Sequence, residues 1–248
     1  MKAMILAAGL GTRLRPFTDT APKALAPAGG IPLLKLALLL LRQHGFDRVV
    51  VNVHHFAKQV IDYLASNPVV GVETAISDER YQLLETGGGI VKAAGFLDGQ
   101  EPFLVYNVDI VTNADLTALY KAHIRNGALV TLLSSRRPAQ RRLLYSSHGR
   151  LCGWENTETG QRKMTSDPGT EVQSLAFSGV HVIDPALYGM ITEQGRFSIL
   201  DVYLRLASDV RIEAYVDDDS VWIDAGTPAE LEKAGSMLTV LTDRGSPD

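Results

Sequence analysis

Residues 7–27 read AAGLGTRLRPFTDTAPKALAP, and they place Gly9, Gly11, Arg13, Arg15 and Lys23 close together after a short apolar run. Glycines that follow a buried strand mark a backbone that must turn sharply and leave its N–H groups open to a ligand. Pro16 and Pro22 stiffen the segment, so the three cations are held near those amides at little cost in ordering entropy. That arrangement suits a polyphosphate: at a protein surface, opposite charges about 4 Å apart attract by roughly 4 kcal/mol. Two familiar phosphate loops are excluded. Leu14 stands where G-x-G-x-x-G needs its last glycine, and no G-x-x-x-x-G-K-[ST] occurs. Taken alone, a glycine turn with solvated cations remains the competing reading.

Other reactive residue types carry plainer readings. His54 and His55 follow a strand with no metal-spaced partner and read as structural. Ser178 lies in FSG, without the G-x-S-x-G elbow of a hydrolase nucleophile. The run RRPAQRR, with Arg136, Arg137, Arg141 and Arg142, reads as a solvated turn.

The elements that must position these residues alternate in type. KAMILAA (2–8), RVVVNV (48–53), VETAIS (72–77) and PFLVYNV (102–108) read as short buried strands. Between them lie helical patterns: one from Pro32 to about His44 ended by Gly45, then FAKQVIDYLA and GGIVKAAGFL. This alternation predicts right-handed crossovers and an α/β, Rossmann-like, mostly parallel sheet with helices on both faces. After the helix DLTALYKAHIRNG the pattern changes to ALVTLLSS, RRLLYSS, RLCGW and SLAFSGVHVI, which read as a mixed or antiparallel extension with a flexible loop near 156–171. SILDVYLRLA, RIEAYV and VWIDA then give helix, strand, strand, and Thr227-Pro228 with Glu230 predicts a capping box opening the last helix. The expected organisation is one domain over 1–242: a first half to about 126, a second from 127 to 227, a helix over 228–242, and a frayed tail at 243–248.

A chain of 248 residues with 46% hydrophobic content has room for a sizeable core. Its net charge of -4 argues against a general nucleic-acid or anionic-membrane surface, so phosphate recognition must be local. A lone cysteine, Cys152, forms no intrachain disulfide and no Cys/His cluster suggests zinc, which fits a cytoplasmic protein. IPLLKLALLLL is too short to span a bilayer, and the N-terminus lacks a signal-peptide layout.

AAGLGTRLRPFTDTAPKAL resembles the GxGxRxxPxTxxxPK signature of the sugar-1-phosphate nucleotidyltransferases, with both glycines, the arginine, both prolines and the lysine in register. The likeness continues through VVVNVHHFAKQVIDYL, LLETGGGI, FLVYNVDI, AFSGVHVI and VWIDAGTPAELEKA. LETGGGI and the short length point to the bacterial branch that includes N-acetylmuramate, heptose and mannose 1-phosphate nucleotidyltransferases. The resemblance implies a GT-A-like fold, an NTP and a sugar 1-phosphate as partners, and Mg2+ as cofactor.

The reaction joins two anions through in-line attack on the α-phosphorus, so it needs positioning, cations and a metal more than a nucleophile. By resemblance Asp109 and Asp224 hold the metal, and each ends an apolar strand, where ligands of open α/β sheets collect. Read alone, either aspartate is equally a turn or cap residue. The resemblance further assigns Lys23 to the α-phosphate and Arg13 to the departing pyrophosphate. Leu6, Ala7, Ala8, Gly9, Gly11 and Thr12 become loop contacts. Thr86 to Gly89, with Thr86 and Gly87 foremost, open a helix whose amides and small side chains are placed to approach the base and ribose; a helix start that needs small residues for packing is the competing reading. Asn107, Glu155, Ser178 and Gly179 fall to the sugar, although Glu155 also reads as a surface strand residue.

Two departures stand out: Val108 replaces the glycine usual before the metal aspartate, and Asn156 interrupts Glu-Lys-Pro after Glu155, with Lys163 a substitute. The expected reaction is uridylyl transfer to an N-acetylmuramate-like sugar phosphate, followed by guanylyl transfer to mannose 1-phosphate. A phosphocholine-type cytidylyltransferase and a catalytically silent nucleotide-sugar-binding module are the rivals. A monomer or small homo-oligomer is expected.

Overall fold

The computed structural model describes residues 1–97, 99–169 and 171–238. The tail expected at 243–248 lies outside them.

The first half runs β1 (Lys2–Leu6), a two-residue pair β2 (Pro27–Ala28) and β3 (Ile31–Pro32), α1 (Leu33–Gln43), β4 (Arg48–Val53), α2 (Ala57–Ser66), β5 (Glu73–Asp78), α3 (Glu85–Lys92), β6 (Phe103–Asn107), β7 (Ile110–Thr112) and α4 (Leu116–Asn126). β5, β4, β1 and β6 pair in that order, all parallel. Parallel strands covered on both faces need apolar side chains on both, and β1 shows it: Ala3 and Ile5 pack towards α1, α2 and α4, while Met4 packs towards α3 and Ile199. The LLKLALLLL part of the apolar stretch IPLLKLALLLL is accordingly a helix packed on the core, and no helix among the described residues is long and apolar enough to cross a membrane.

The second half runs β8 (Val130–Ser135), β9 (Arg141–Ser146), β10 (Leu151–Asn156), β11 (Arg162–Met164), β12 (Val172–Ile183), α5 (Ile199–Leu206), β13 (Ile212–Val216), β14 (Trp222–Asp224) and α6 (Pro228–Ser236). β12 joins the two halves of the sheet. Its C-terminal part, Val180–Ile183, pairs antiparallel with β6, and its N-terminal part, Val172–Leu175, pairs antiparallel with β9. The register shifts between Phe177 and His181, and Gly179 takes φ +75° there, a left-handed conformation that glycine adopts without strain.

The structure thus has the α/β fold expected, a mostly parallel centre flanked by helices with an antiparallel extension. Four expectations change. The segment 156–171 is not all loop, because Arg162–Met164 pairs with β10. Pro32 precedes α1 as its cap residue and is not its first turn. Asp224 does end a strand, but β14 pairs antiparallel with β7 in a separate two-stranded ribbon outside the main sheet. Thr227 caps α6 by accepting the amide of Glu230, while the Glu230 carboxylate pairs with Lys233 instead of reaching back.

Candidate active site

The C-terminal end of β1 lies between two asparagines, since Leu6 is in register with Asn52 of β4 and Asn107 of β6. Asn52 Oδ1 accepts the amides of Ala7 and Ala8, at 2.6 and 3.2 Å. Its Nδ2 donates to Glu79 Oε1 at 2.8 Å, and Glu79 Oε2 accepts the amide of Leu84 at the entry to α3. One buried amide therefore ties the glycine loop to the start of α3. Glu79 is 1% exposed, and burial pushes its carboxyl above the usual range even against these hydrogen bonds.

Past Gly9 the chain turns at Gly11, φ +64°, where a Cβ would lie 2.8 Å from both Lys23 Cβ and Thr18 Cγ2. The carbonyl of Gly11 accepts the hydroxyl of Thr18 at 2.9 Å, which closes the loop on itself. Lys23 Nζ pairs with Asp109 Oδ2. Arg13 Nη2 pairs with Asp224 Oδ2 at 3.1 Å. The ribbon explains how two acids so distant in sequence meet: Asp224 is in register with Ile110, next to Asp109, and the Ala225 amide donates to the Asp109 carbonyl at 2.8 Å.

A cavity of about 330 Å³ opens above these strand ends. Of the expected nucleotide and metal residues, Leu6, Ala7, Ala8, Gly9, Lys23, Thr86 and Asp109 line it, as does Asn107 from the expected sugar set. Val108 lines it too, donating its amide to the Leu6 carbonyl. Arg13 and Asp224 stand as an ion pair outside its wall, with side chains 57% and 33% exposed. Gly11 and exposed Thr12 are likewise outside it, Gly11 fixing the loop that carries Lys23.

Other expected residues are placed differently. Gly87 offers no open amide: it donates to the Phe197 carbonyl at 2.9 Å, and a Cβ there would lie 2.2 Å from the Phe197 ring. The glycines of α3 are needed for close packing, with Gly88 against the Gly195 carbonyl and Gly89 against Glu79 and Asn52. Thr86 also serves packing, its hydroxyl accepting the Ile199 amide at 2.9 Å. Ser178 is buried, its carbonyl accepting Trp222 Nε1 at 2.8 Å, and it lines a separate cavity of about 510 Å³. Gly179 forms the bend of β12, where a Cβ would meet Asn107 Nδ2 at 2.9 Å. The Glu155 carboxylate accepts the Ser174 hydroxyl across the β-extension and lines neither of these cavities.

His54 and His55 are structural, holding the carbonyls of Glu79 and Thr18. RRPAQRR is not a solvated turn throughout. Arg136 pairs with Asp218 at the surface, whereas Arg137 is half-buried, stacks 3.5 Å from the Trp222 ring centre and donates to the Phe177 carbonyl at 2.6 Å. Burial lowers the Arg137 guanidinium to about 10, with Asp224 opposing that shift. Sequence reasoning missed Asn52 and Glu79, and it placed Arg137 in a solvated turn. The available signal for Asn52 was a lone amide inside RVVVNV, a strand otherwise apolar after its first residue; no local signal marks Glu79.

Comparison with known proteins identifies the class to which this arrangement belongs. The nucleotidyl transferase family profile matches residues 2–239. The chain belongs to that family. Two N-acetylmuramate alpha-1-phosphate uridylyltransferases are each 34% identical to it: that of Neisseria meningitidis over 245 residues, covering 96% of this chain and 98% of the relative, and that of Caulobacter vibrioides over 247 residues, covering 95% and 96%. Among solved structures, a putative glucose-1-phosphate thymidylyltransferase from Bacillus anthracis superposes with a TM-score of 0.78 at 20% identity, covering 96% of this chain and 94% of that one. It shares the fold. This nucleotidyltransferase brings its glycine loop, Lys23, Arg13, Asp109 and Asp224 into one convergent arrangement.

Proposed function

We propose that this sugar-1-phosphate nucleotidyltransferase joins UTP and N-acetylmuramate 1-phosphate to give the UDP-sugar and pyrophosphate. The observation that carries the reaction class is the convergence of Lys23, Asp109, Arg13 and Asp224 beside the β1 loop. Support for the sugar and the base comes from the two uridylyltransferase relatives, which match over nearly their whole lengths.

In the proposed reaction an oxygen of the sugar phosphate attacks the α-phosphorus of UTP while pyrophosphate leaves from the opposite side. The β1 loop, held from behind by Asn52, receives the nucleotide, and Lys23 neutralises charge at the reacting phosphorus. Arg13, exposed at the rim, meets the departing pyrophosphate. Both cations are paired with the aspartates, so none of the four charges is left uncompensated before substrate arrives.

The donor set fits a magnesium ion. Asp109 and Asp224 supply two carboxylates, each shared with a cation of the loop, and magnesium is commonly bound by one or two carboxylates completed by phosphate oxygens and water. When bound there, the ion supplies charge neutralisation between the two anionic substrates.

Pyrophosphate release measured over a grid of UTP, GTP, CTP and dTTP against several sugar 1-phosphates tests the assignment. The expected maximum is UTP with N-acetylmuramate 1-phosphate. A maximum at GTP with mannose 1-phosphate replaces it with the guanylyl reaction, and release with phosphocholine alone replaces the sugar phosphate altogether.

A further inference from the structure

Beyond the nucleotide cavity lies another of about 420 Å³, lined by Arg142, Trp154, Phe177, Ser198 and Asp201 among others. Ser198 lines both, so the two spaces adjoin at that residue. Trp154 and Phe177 give the second space an apolar wall of the kind that packs against the C–H face of a sugar ring.

Arg142 is anchored there but not neutralised. Its Nη2 donates to the Ser174 carbonyl at 2.6 Å and more weakly to the Arg136 carbonyl at 3.4 Å. Nε is buried without a partner, Nη1 makes no hydrogen bond, and the guanidinium forms no ion pair among the described residues. Glu155 is directly opposite on β10, yet its carboxylate accepts the Ser174 hydroxyl instead. Asp201 is the acid on the cavity wall, while Arg141 shares that wall and Arg137 lies close enough for Arg142 to depress its basicity. Half-burying a fixed guanidinium beside other cations is unfavourable unless an anion arrives to meet it.

We propose that Arg142 is a specificity-determining residue that binds a carboxylate carried by the sugar. A planar carboxylate matches guanidinium geometry, and a neutral hexose offers nothing to compensate the charge. This rests on the proposed function: N-acetylmuramate bears a carboxylate on its lactyl ether, and N-acetylglucosamine is the same sugar without it.

The test compares kcat/KM for N-acetylmuramate 1-phosphate and N-acetylglucosamine 1-phosphate, with UTP, in the parent chain and in R142M and R142K. The parent prefers the acidic sugar. R142M lowers kcat/KM for that sugar by about 10- to 100-fold, mainly through KM, and for the neutral sugar by less than about 3-fold; R142K falls between. The KM for UTP and the thermal midpoint of each variant report the fold independently of the sugar. Equal losses on both sugars assign Arg142 to the shared phosphate or to structure, and overturn the proposal. A parent that uses N-acetylmuramate 1-phosphate while R142M keeps its preference overturns this assignment alone. A parent that prefers the neutral sugar removes the proposed function together with it.

Discussion

The amide of Ala225 donates to the carbonyl of Asp109 at 2.8 Å, and this bond seats Asp224 beside Asp109. The ribbon of β7 and β14 pairs with no other strand among the described residues, and Ile110, Val111 and Ile223 bury its inner side in the core. Asp109→Asn and Asp224→Asn are each expected to lower magnesium-dependent pyrophosphate release by about 1,000-fold. Circular dichroism is expected to be unchanged. Asp109→Asn also leaves Lys23, whose side chain is 13% exposed, without its counter-ion, so this variant alone loses about 2 kcal/mol in urea unfolding. Near-parental rates in both variants would remove the pair from the proposed metal site.

Gly226 makes room for the outer ion pair. A Cβ on it would lie 2.3 Å from Arg13 Nη2 and 2.6 Å from Asp224 Oδ1, while its amide donates to that same oxygen at 3.0 Å. Gly226→Ala should therefore push Arg13 away from Asp224 with little effect on the core. A fall of about 10-fold in kcat/KM, with stability within about 1 kcal/mol of the parent, is the expected result. Steady-state kinetics beside a thermal melt checks it, and unchanged kinetics would show that the Arg13 position is unimportant.

Asn52→Asp puts a carboxylate against buried Glu79. Asp keeps an acceptor for the Ala7 and Ala8 amides but removes the Nδ2 donor to Glu79 Oε1. Glu79 is already raised by burial, and a facing carboxylate raises the pair further, so the folded state holds a proton that the unfolded state has released. Stability of this variant falls as pH rises above the ordinary carboxylate range, by about 2 kcal/mol at pH 8 relative to pH 5 beyond any change in the parent. Urea midpoints at the two pH values decide it.

Much of the candidate site was legible because the residues proposed to meet the phosphate chain are local in sequence. Gly9, Gly11, Arg13 and Lys23 all lie in one stiff loop, and strand ends marked Asp109 and Asp224. What sequence did not reveal are the supports. Gly87 reads equally as a ligand-facing or a packing glycine until the Phe197 ring is seen against it, more than a hundred positions away in the chain. Asn52 and Glu79 act through hydrogen bonds between strands and a helix start, which no local spacing encodes. Arg137 and Arg142 sit in a run that reads as a surface turn, and only the register of β9 with β12 carries Arg142 inward to the Ser174 carbonyl.

His181 gives the fold an acid-side weakness that one substitution should remove. It stands on β12 between Val105 of β6 and Leu132 of β8, with the Phe177 and Tyr203 rings 5.5 and 5.7 Å away. Neither ring nitrogen has a hydrogen-bond partner among the described residues, and burial pushes the imidazole from 6.5 down to about 3. Below pH 6.5 the unfolded chain takes up a proton that the folded chain refuses, so stability present above that pH is lost as pH falls towards 3. One such group contributes a slope of at most about 1.4 kcal/mol per pH unit. His181→Leu removes the proton uptake and leaves no orphaned nitrogen in the core. Its stability at pH 7 should match or exceed that of the parent, and its loss between pH 6 and pH 4 should be smaller by up to one proton's worth. Parallel stability curves for the two proteins would mean that the folded state accommodates a charged His181 after all.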